Sequence, residues 1–287
     1  MKKVVSEISG VVFSLPWLVA RDEGLFEAEG IDMEFVTAVS SGRVTPTESP
    51  EDVNPILGHV AFRGRQGARI IALRSAVATQ AILVHPDSPH YYPGTLGNKP
   101  VAVQFHAGSH YVALRLLSGY LPKDKLKLVH YGSPQFRFEA LMNGEVAAAA
   151  LMEPWITLAE KLGCRPVCEG HYLGAENASD NMDEETFAAI NRAVAKAVDR
   201  INADKRRYLR YLIDEPRFAA VAAQHGGVTP EDFHLPRLRY SYNTPYTDEI
   251  VEDTYHWMVG WDLLDGAACS ADLVDNRLAE PAAAAAD

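Results

Sequence analysis

The segment VAVQFHAGSHY, from Val101 to Tyr111, holds the residues best suited to chemistry. An apolar run typical of a buried strand stops before Gly108, and a helical pattern starts at Ser109. A helix that begins directly after a strand exposes unpaired backbone N–H groups at the positive end of its dipole. Such groups bind small anions. The segment therefore predicts an anion site at this helix start, where the Ser109 hydroxyl either caps the helix or contacts the ligand.

Two histidines are candidates for proton transfer, because an unperturbed imidazole titrates near neutral pH. His110 follows Ser109 directly, and His59 lies in a predicted turn, where the alternative is an exposed side chain with no role. His106 and His110 are four residues apart, the spacing of metal ligands on one helix, but Gly108 interrupts the helix between them. No third ligand lies nearby in the sequence. We therefore expect no metal and no other cofactor.

A second segment, GEVAAAALMEPWITLAEKLG over residues 144–163, predicts a buried strand that turns into a helix. Glu153 precedes Pro154, so its backbone is extended and its side chain can project into a crevice. The alternative is a solvent-facing carboxylate stabilised by the helix dipole. Trp155 and Trp17 can stack on an aromatic or cationic ligand, or they can pack in the core.

Composition limits the classes of function. The chain has 287 residues, enough for one large domain or two lobes, and its 38 acidic and 27 basic residues give a net charge of −11. General binding of nucleic acids or anionic membranes needs a basic face, so we expect neither, nor insertion into a membrane. The N-terminus lacks the apolar core of a signal peptide, and three cysteines fit a reducing compartment. We expect a cytoplasmic protein, or a periplasmic one if a leader was removed.

The remaining patterns predict an α/β protein. Strand, helix and strand follow one another over residues 3–36, and a second alternation covers residues 70–168. From residue 184 onward the pattern is helical, with an apolar stripe over residues 184–202. Residues 40–55 are polar and contain three prolines, which predicts a long loop. Open α/β sheets bind ligands at the carboxyl ends of their strands, so we expect two lobes with a cleft between them.

The order of these segments resembles the type II periplasmic-binding-protein-like family, specifically its nitrate, taurine and sulfonate group, which includes thiamine-pyrimidine-synthase-like relatives. The resemblance is carried by LVARDEGLFEAEGIDMEFV, by VAVQFHAGSHYVALRLL and by ALMNGEVAAAALMEPWITLAEKLG. It implies a two-lobed α/β fold with an interlobe cleft. Residues 1–85 and 175–287 would form a discontinuous lobe 1, on which the C-terminal helices pack, and residues 86–174 would form lobe 2.

The resemblance also implies a ligand in that cleft, a small organic anion or related polar molecule of the carboxylate, sulfonate, sulfinate or pyrimidine class. The implied ligand contacts are Phe13, Ser14, Trp17, Gly58, His106, Gly108, Ser109, Tyr111, Glu153 and Trp155. His110 and His59 are the candidate catalytic residues.

The same fold hosts cytosolic enzymes, among them an aryl-sulfinate desulfinase with a nucleophilic cysteine after the first strand. Here that turn reads SGVVFSLPW and contains no cysteine, so that mechanism does not transfer. The cysteine-rich iron motif of the synthase is also missing from the sequence. The first hypothesis is a cytosolic lyase or hydrolase in which His110 or His59 acts as acid or base. The alternatives are a solute-binding component of an ABC importer, with a permease as partner if exported, and a cytosolic ligand sensor.

Overall fold

The computed structural model describes residues 1–8, 11–37, 51–53, 68–73, 76–105, 107–171, 175–179 and 182–263. The chain divides into two compact units. Unit 1 comprises Met1–Val77, Leu173–Lys205 and Tyr240–Asp287, and unit 2 comprises Ala78–Tyr172 and Arg206–Arg239.

The described strands and helices are numbered in chain order. The strands are β1 Lys2–Ile8, β2 Ile31–Thr37, β3 Glu51–Val53, β4 Ala68–Leu73, β5 Ala76–Val84, β6 Pro100–Val103, β7 Lys127–His130, β8 Ala148–Met152, β9 Arg165–His171, β10 Ala175–Ser179 and β11 Leu238–Tyr240. The helices are α1 Val11–Asp22, α2 Leu25–Ala28, α3 Gly108–Ser118, α4 Pro134–Met142, α5 Trp155–Lys161, α6 Glu184–Ala203, α7 Lys205–Tyr208, α8 Arg210–Ile213, α9 Pro216–Gln224 and α10 Asp248–Gly260.

Unit 1 contains a parallel pair of strands, β1 and β2, joined by α1 and α2. The sequence analysis predicted a single helix between these two strands. The structure has two, because Gly24 adopts φ +69°, a left-handed conformation that ends the first helix. The apolar stripe of α6 lies buried, as predicted, and packs against α1 and α2. A second sheet in unit 1 has the antiparallel order β3-β10-β4.

Unit 2 is built on a sheet of order β11-β5-β8-β6-β7, with β9 also paired to β5. Strands β8, β6 and β7 are mutually parallel, whereas β5 runs antiparallel to β8 and β9. The carboxyl ends of β6, β7 and β8 therefore lie at one edge of the sheet, which we call the carboxyl edge. Helices α3, α4 and α5 begin in the segments that follow these strands. The buried core of this unit includes Ile82, Val101, Val103, Leu117 and Ala150.

One boundary differs from the sequence analysis, which assigned all of residues 175–287 to lobe 1. Residues Arg206–Arg239 belong to unit 2. The physical reason lies in two contacts: Phe218 packs against Trp155, and Arg237 forms ion pairs with Glu160. Neither partner is close in sequence, so local patterns did not indicate this return of the chain.

The start of α6 provides a test of helix capping in unit 1. Asp183 is the N-cap: its Oδ1 accepts from the Thr186 backbone N–H at 2.8 Å, and its Oδ2 forms an ion pair with Lys2. We expect Asp183→Ala to lower the free energy of unfolding by about 1–2 kcal/mol, because the α6 N–H groups lose their acceptor. Urea denaturation of the chain, followed by a signal from unit 1, measures this change in the free energy of unfolding.

Asp183→Asn is the matched variant, because the amide oxygen still caps the helix while the charge is lost. An exposed ion pair contributes only about 0–1 kcal/mol, so most of the stability should be retained. Equal destabilisation by Ala and Asn would show that the ion pair with Lys2, and not the cap, stabilises this helix start.

Candidate functional site

The start of α3 lies at the carboxyl edge, directly after β6. Its N-cap is Ala107, which offers no side-chain acceptor. The Ser109 hydroxyl instead accepts from the Gln104 backbone N–H at 2.9 Å, so Ser109 holds the strand-to-helix loop closed. This corrects the expected capping role of Ser109. The N–H groups of Gly108 and Ser109 have no acceptor among the residues that the structure describes.

The start of α4 lies at the same edge, after β7, and it also lacks a side-chain cap. Ser133 is its N-cap but forms no side-chain cap hydrogen bond, and Pro134 has no N–H. Within the described ranges, the N–H groups of Gln135 and Phe136 donate no hydrogen bond. Three helices elsewhere do have side-chain caps, supplied by Asp183 in α6, Glu215 in α9 and Thr247 in α10.

Arg137, in the first turns of α4, is a buried cation that the sequence analysis did not identify. Its side chain is 2% exposed. Its Nε donates to the Ala150 carbonyl at 2.7 Å, and its Nη1 donates to the Gly132 carbonyl. In the part of the chain that the structure describes, no carboxylate lies within ion-pair distance of this guanidinium. Burial lowers the pKa of Arg137 to about 9, so it stays charged at neutral pH.

His110 and Tyr111 follow the unpaired amides in α3. The His110 ring is half-buried, and its centroid lies 5.1 Å from that of Phe105 and 5.3 Å from that of Tyr111. Tyr111 is 5% exposed, and burial raises the pKa of its hydroxyl. The structure thus keeps Gly108, Ser109, His110 and Tyr111 together at the carboxyl edge.

Glu153 follows β8 and so reaches the same edge, but its side chain turns inward and is 2% exposed. Its Oε2 accepts from the Thr157 backbone N–H at 3.1 Å and from the Thr157 hydroxyl at 2.7 Å. Among the residues that the structure describes, its Oε1 has no hydrogen-bond partner, and it lies 3.8 Å from Nη1 of Arg237. A carboxylate that projects into a crevice and one that faces solvent were both expected. Neither describes Glu153, because Thr157 and Arg237 hold it inside unit 2.

The guanidinium of Arg237 lies close to three carboxylates. It donates to both oxygens of Glu160, at 2.6 and 2.8 Å, and to Glu169 at 2.9 Å. Glu153 is therefore a third, more distant acid beside one guanidinium. Burial raises the pKa of Glu153 to about 7, against the opposing effects of the Thr157 hydrogen bonds and the Arg237 charge.

The tryptophans pack as core residues. Trp155 is 6% exposed and contacts Phe138 and, edge to face, Phe218, with ring centroids 5.4 and 5.1 Å away. Trp17 is buried in α1, 5.7 Å from the Phe26 ring. Both match the core-packing alternative.

The other predicted contacts divide into two groups. Phe13 and Ser14 are buried within α1, which begins at Val11 and so replaces the predicted turn. Gly58, His59 and His106 lie outside the described residues. Across the described ranges, no cluster of three His, Cys, Asp or Glu side chains is arranged to hold a metal ion. None of the helices described is long and apolar enough to cross a membrane.

Comparisons with known proteins identify the fold. No protein-family model matches the chain, and no curated protein matches it in sequence. Among solved structures, the alkanesulfonate-binding protein SsuA from Xanthomonas axonopodis pv. citri, bound to MOPS, is 15% identical with a TM-score of 0.76, covering 96% of this chain and 99% of that one. The periplasmic aliphatic sulphonate binding protein SsuA from Escherichia coli is 16% identical with a TM-score of 0.71, covering 92% and 94%.

The desulfurization enzyme DSZB is also similar, with 13% identity, a TM-score of 0.68 and coverage of 96% and 97%. Such low identities establish the fold alone. The prediction of an α/β fold of the type II periplasmic-binding-protein kind is confirmed.

The buried Glu153 generates a pH-dependent prediction. Its pKa in the folded chain is raised from the ordinary 4.5 to about 7, so the folded state binds this proton more tightly than the unfolded state. The free energy of unfolding should therefore fall as the pH rises from 4.5 to 7. Glu153→Gln resembles the protonated acid at every pH. We expect it to be more stable than the parent chain by about 3 kcal/mol at pH 8 and equally stable near pH 4.5.

Urea denaturation at a series of pH values between 4.5 and 8.5 measures this difference. Glu231→Gln, an exposed substitution in the same unit, is the control and should leave the difference near zero throughout. A Glu153→Gln chain that is less stable at pH 8 would contradict the prediction. It would show that the Glu153 charge is stabilised by Arg237 more than burial opposes it.

Proposed function

We propose that this chain binds a small organic anion at the carboxyl edge of unit 2, through the first turns of α3 and α4. The observation that carries the proposal is the concentration of uncompensated positive potential there. Two helix starts lack side-chain caps, and the guanidinium of Arg137 lies beside the loop between β7 and α4 without a carboxylate among the described residues. The chain as a whole has a net charge of −11, so this positive site is local.

The uncapped starts of α3 and α4 contrast with those of α6, α9 and α10, which have side-chain caps. Asp183 and Glu215 each place a carboxylate oxygen on a first-turn N–H. A missing cap costs about 1 kcal/mol, and an anion at a helix start restores both the hydrogen bond and the favourable dipole interaction. An oxyanion ligand on the Gly108, Ser109, Gln135 and Phe136 amides would supply the hydrogen-bond acceptors that no side chain provides there.

Acids of the sulfonate, sulfinate and carboxylate class fit this site better than a neutral pyrimidine. Their oxygens accept several hydrogen bonds at once, and their charge matches the helix dipoles and Arg137. The similar structures support the sulfur acids, since they include an alkanesulfonate-binding protein bound to MOPS and a desulfurization enzyme. Arg137 is buried, so its charge would act on the ligand from behind the Gly132 loop and not by direct contact.

Ala107→Asp tests the anion site without weakening the fold. Ala107 has extended N-cap geometry, φ −124° and ψ 174°, so an aspartate there can accept from the α3 amides. We expect the melting temperature to rise, by the equivalent of about 1 kcal/mol, while affinity for sulfonates and carboxylates falls about tenfold or more. Isothermal titration with ethanesulfonate, benzenesulfonate and benzoate measures the affinity.

Ala107→Ser is the matched control, because it caps the helix without adding charge, and its affinity should fall less. General damage would lower stability and affinity together, so the opposite signs expected for Ala107→Asp are specific. Unchanged affinity in the Asp variant would refute anion binding at the α3 start.

A second candidate function is acid–base catalysis on the bound anion, as in a lyase or hydrolase. The observation that favours it is the position of His110, directly after the unpaired Gly108 and Ser109 amides and on the same helix turn. An imidazole there can exchange a proton with a ligand whose developing charge the amides hold. The competing hypotheses are a solute-binding component that delivers its ligand to a permease and a cytosolic sensor, and both predict that the ligand is recovered unchanged.

His110→Ala separates catalysis from binding. If the chain is an enzyme, turnover should fall about 100-fold or more while the dissociation constant changes by only a few-fold. Time-resolved NMR of bound sulfinates, sulfonates and carboxylates detects turnover. Tyr120→Ala, beyond the far end of α3, is the control. A ligand that stays chemically unchanged, or a His110→Ala chain with full turnover, would remove the catalytic assignment.

A further inference from the structure

Two phenylalanines at the carboxyl edge are exposed. Phe105 and Phe136 are 39% and 54% exposed, whereas the other phenylalanines with described side chains are buried or half-buried. Phe105 lies in the loop between β6 and α3, and Phe136 lies in the first turn of α4. A ligand that covers such an exposed ring binds more tightly, because apolar surface is removed from water.

His130, the last residue of β7, fixes the position of Phe105. The Phe105 backbone N–H donates to Nδ1 of His130 at 3.0 Å, and the two ring centroids lie 5.5 Å apart. Because Nδ1 accepts a hydrogen bond, the neutral imidazole carries its proton on Nε2, which is therefore a donor. The His130 side chain is itself exposed.

Phe136 and the same histidine both lie close to Gly132. A β-carbon placed on Gly132 would stand 3.8 Å from Cδ2 of Phe136 and 4.0 Å from Nε2 of His130, so both rings flank this glycine. Gly132 has φ +71°, a conformation that other residues rarely adopt. The rings of Phe105, His130 and Phe136 therefore form one aromatic surface, which we call the ring surface. It adjoins the unpaired amides of both helix starts.

We infer that the ring surface takes the aromatic body of the ligand, so that the preferred ligands are aryl acids: arylsulfonates, arylsulfinates and aryl carboxylates. The inference rests on the proposed function, because the acid group is held by the α3 and α4 amides. Aromatic rings attract one another beyond simple burial of area, in offset or edge-to-face geometry. The Nε2–H of His130 adds a donor at the border between the ring surface and the acid group.

The test compares ligands that share one acid group. Isothermal titration should give benzenesulfonate about tenfold higher affinity than ethanesulfonate, and benzoate about tenfold higher affinity than propionate. Phe136→Ala keeps the backbone N–H and should reduce both preferences to about twofold, because it weakens binding of the aryl acids much more than binding of ethanesulfonate and propionate. Phe136→Tyr keeps the ring and should keep the preference. Tyr120→Ala removes another exposed aromatic residue, 60% exposed beyond the C-terminal end of α3, and should have no effect.

Two outcomes separate this inference from the proposed function. Equal affinity for aryl and alkyl acids would overturn the ring surface as a ligand contact and leave anion binding intact. Equal loss of both acids in Phe136→Ala would also overturn it, because the substitution would then act through the α4 amides. If neither class of acid binds, the proposed function and this inference fall together.

Discussion

Parallel pairing of β6, β7 and β8 is the constraint on which the chemistry of unit 2 depends. Val103 pairs with His130, and Val101 pairs with Ala148, so the three strands end at one edge. A parallel connection must return along the face of the sheet, and the returning helix starts where the strand stops. The loops before α3, α4 and α5 are therefore collected at the carboxyl edge. An antiparallel partner such as β5 contributes its amino end there.

The two buried arginines of unit 2 have opposite electrostatic surroundings. Arg237 lies beside three carboxylates, and one of them, Glu153, has an oxygen with no hydrogen-bond partner in the described part of the chain. Arg137 contacts only backbone carbonyls among the described residues. Glu153 cannot form an ion pair with Arg137 in this arrangement, because Thr157 bonds to one of its oxygens and Arg237 lies next to the other. Negative charge is thus concentrated around Arg237, while no carboxylate of the described ranges pairs with Arg137 beside the Gly132 loop.

Local patterns were enough to predict the strand-to-helix break at Gly108, the buried strand before Glu153 and the apolar stripe of α6. They depend on neighbours within one element, which periodicity records. The roles of Arg137 and Glu153 were not predictable in this way. Arg137 follows an exposed phenylalanine in a short helix of mixed polarity, and its partners are carbonyl groups, which leave no trace in side-chain patterns.

Long-range contacts account for the other differences between the sequence analysis and the structure. Glu153 is drawn inward by Arg237, which returns to unit 2 from a later part of the chain. The same return places Phe218 on Trp155 and makes that tryptophan a core residue. Ser109 was correctly placed at a helix start. The residue to which its hydroxyl bonds, Gln104, depends on the path of the loop, which composition does not specify.

A site of this composition divides recognition into two parts. Backbone amides and a guanidinium select for negative charge, but they accept almost any oxyanion, because N–H groups at a helix end impose little demand on the rest of the ligand. Discrimination among acids must then come from surfaces that contact the remainder of the molecule. Phe105, His130 and Phe136 are exposed rings close in sequence to those amides, in or beside β7, the Gly132 turn and α4. In the proposed site, charge would thus be recognised by main-chain geometry common to many helix starts, and ligand identity by three side chains particular to this chain.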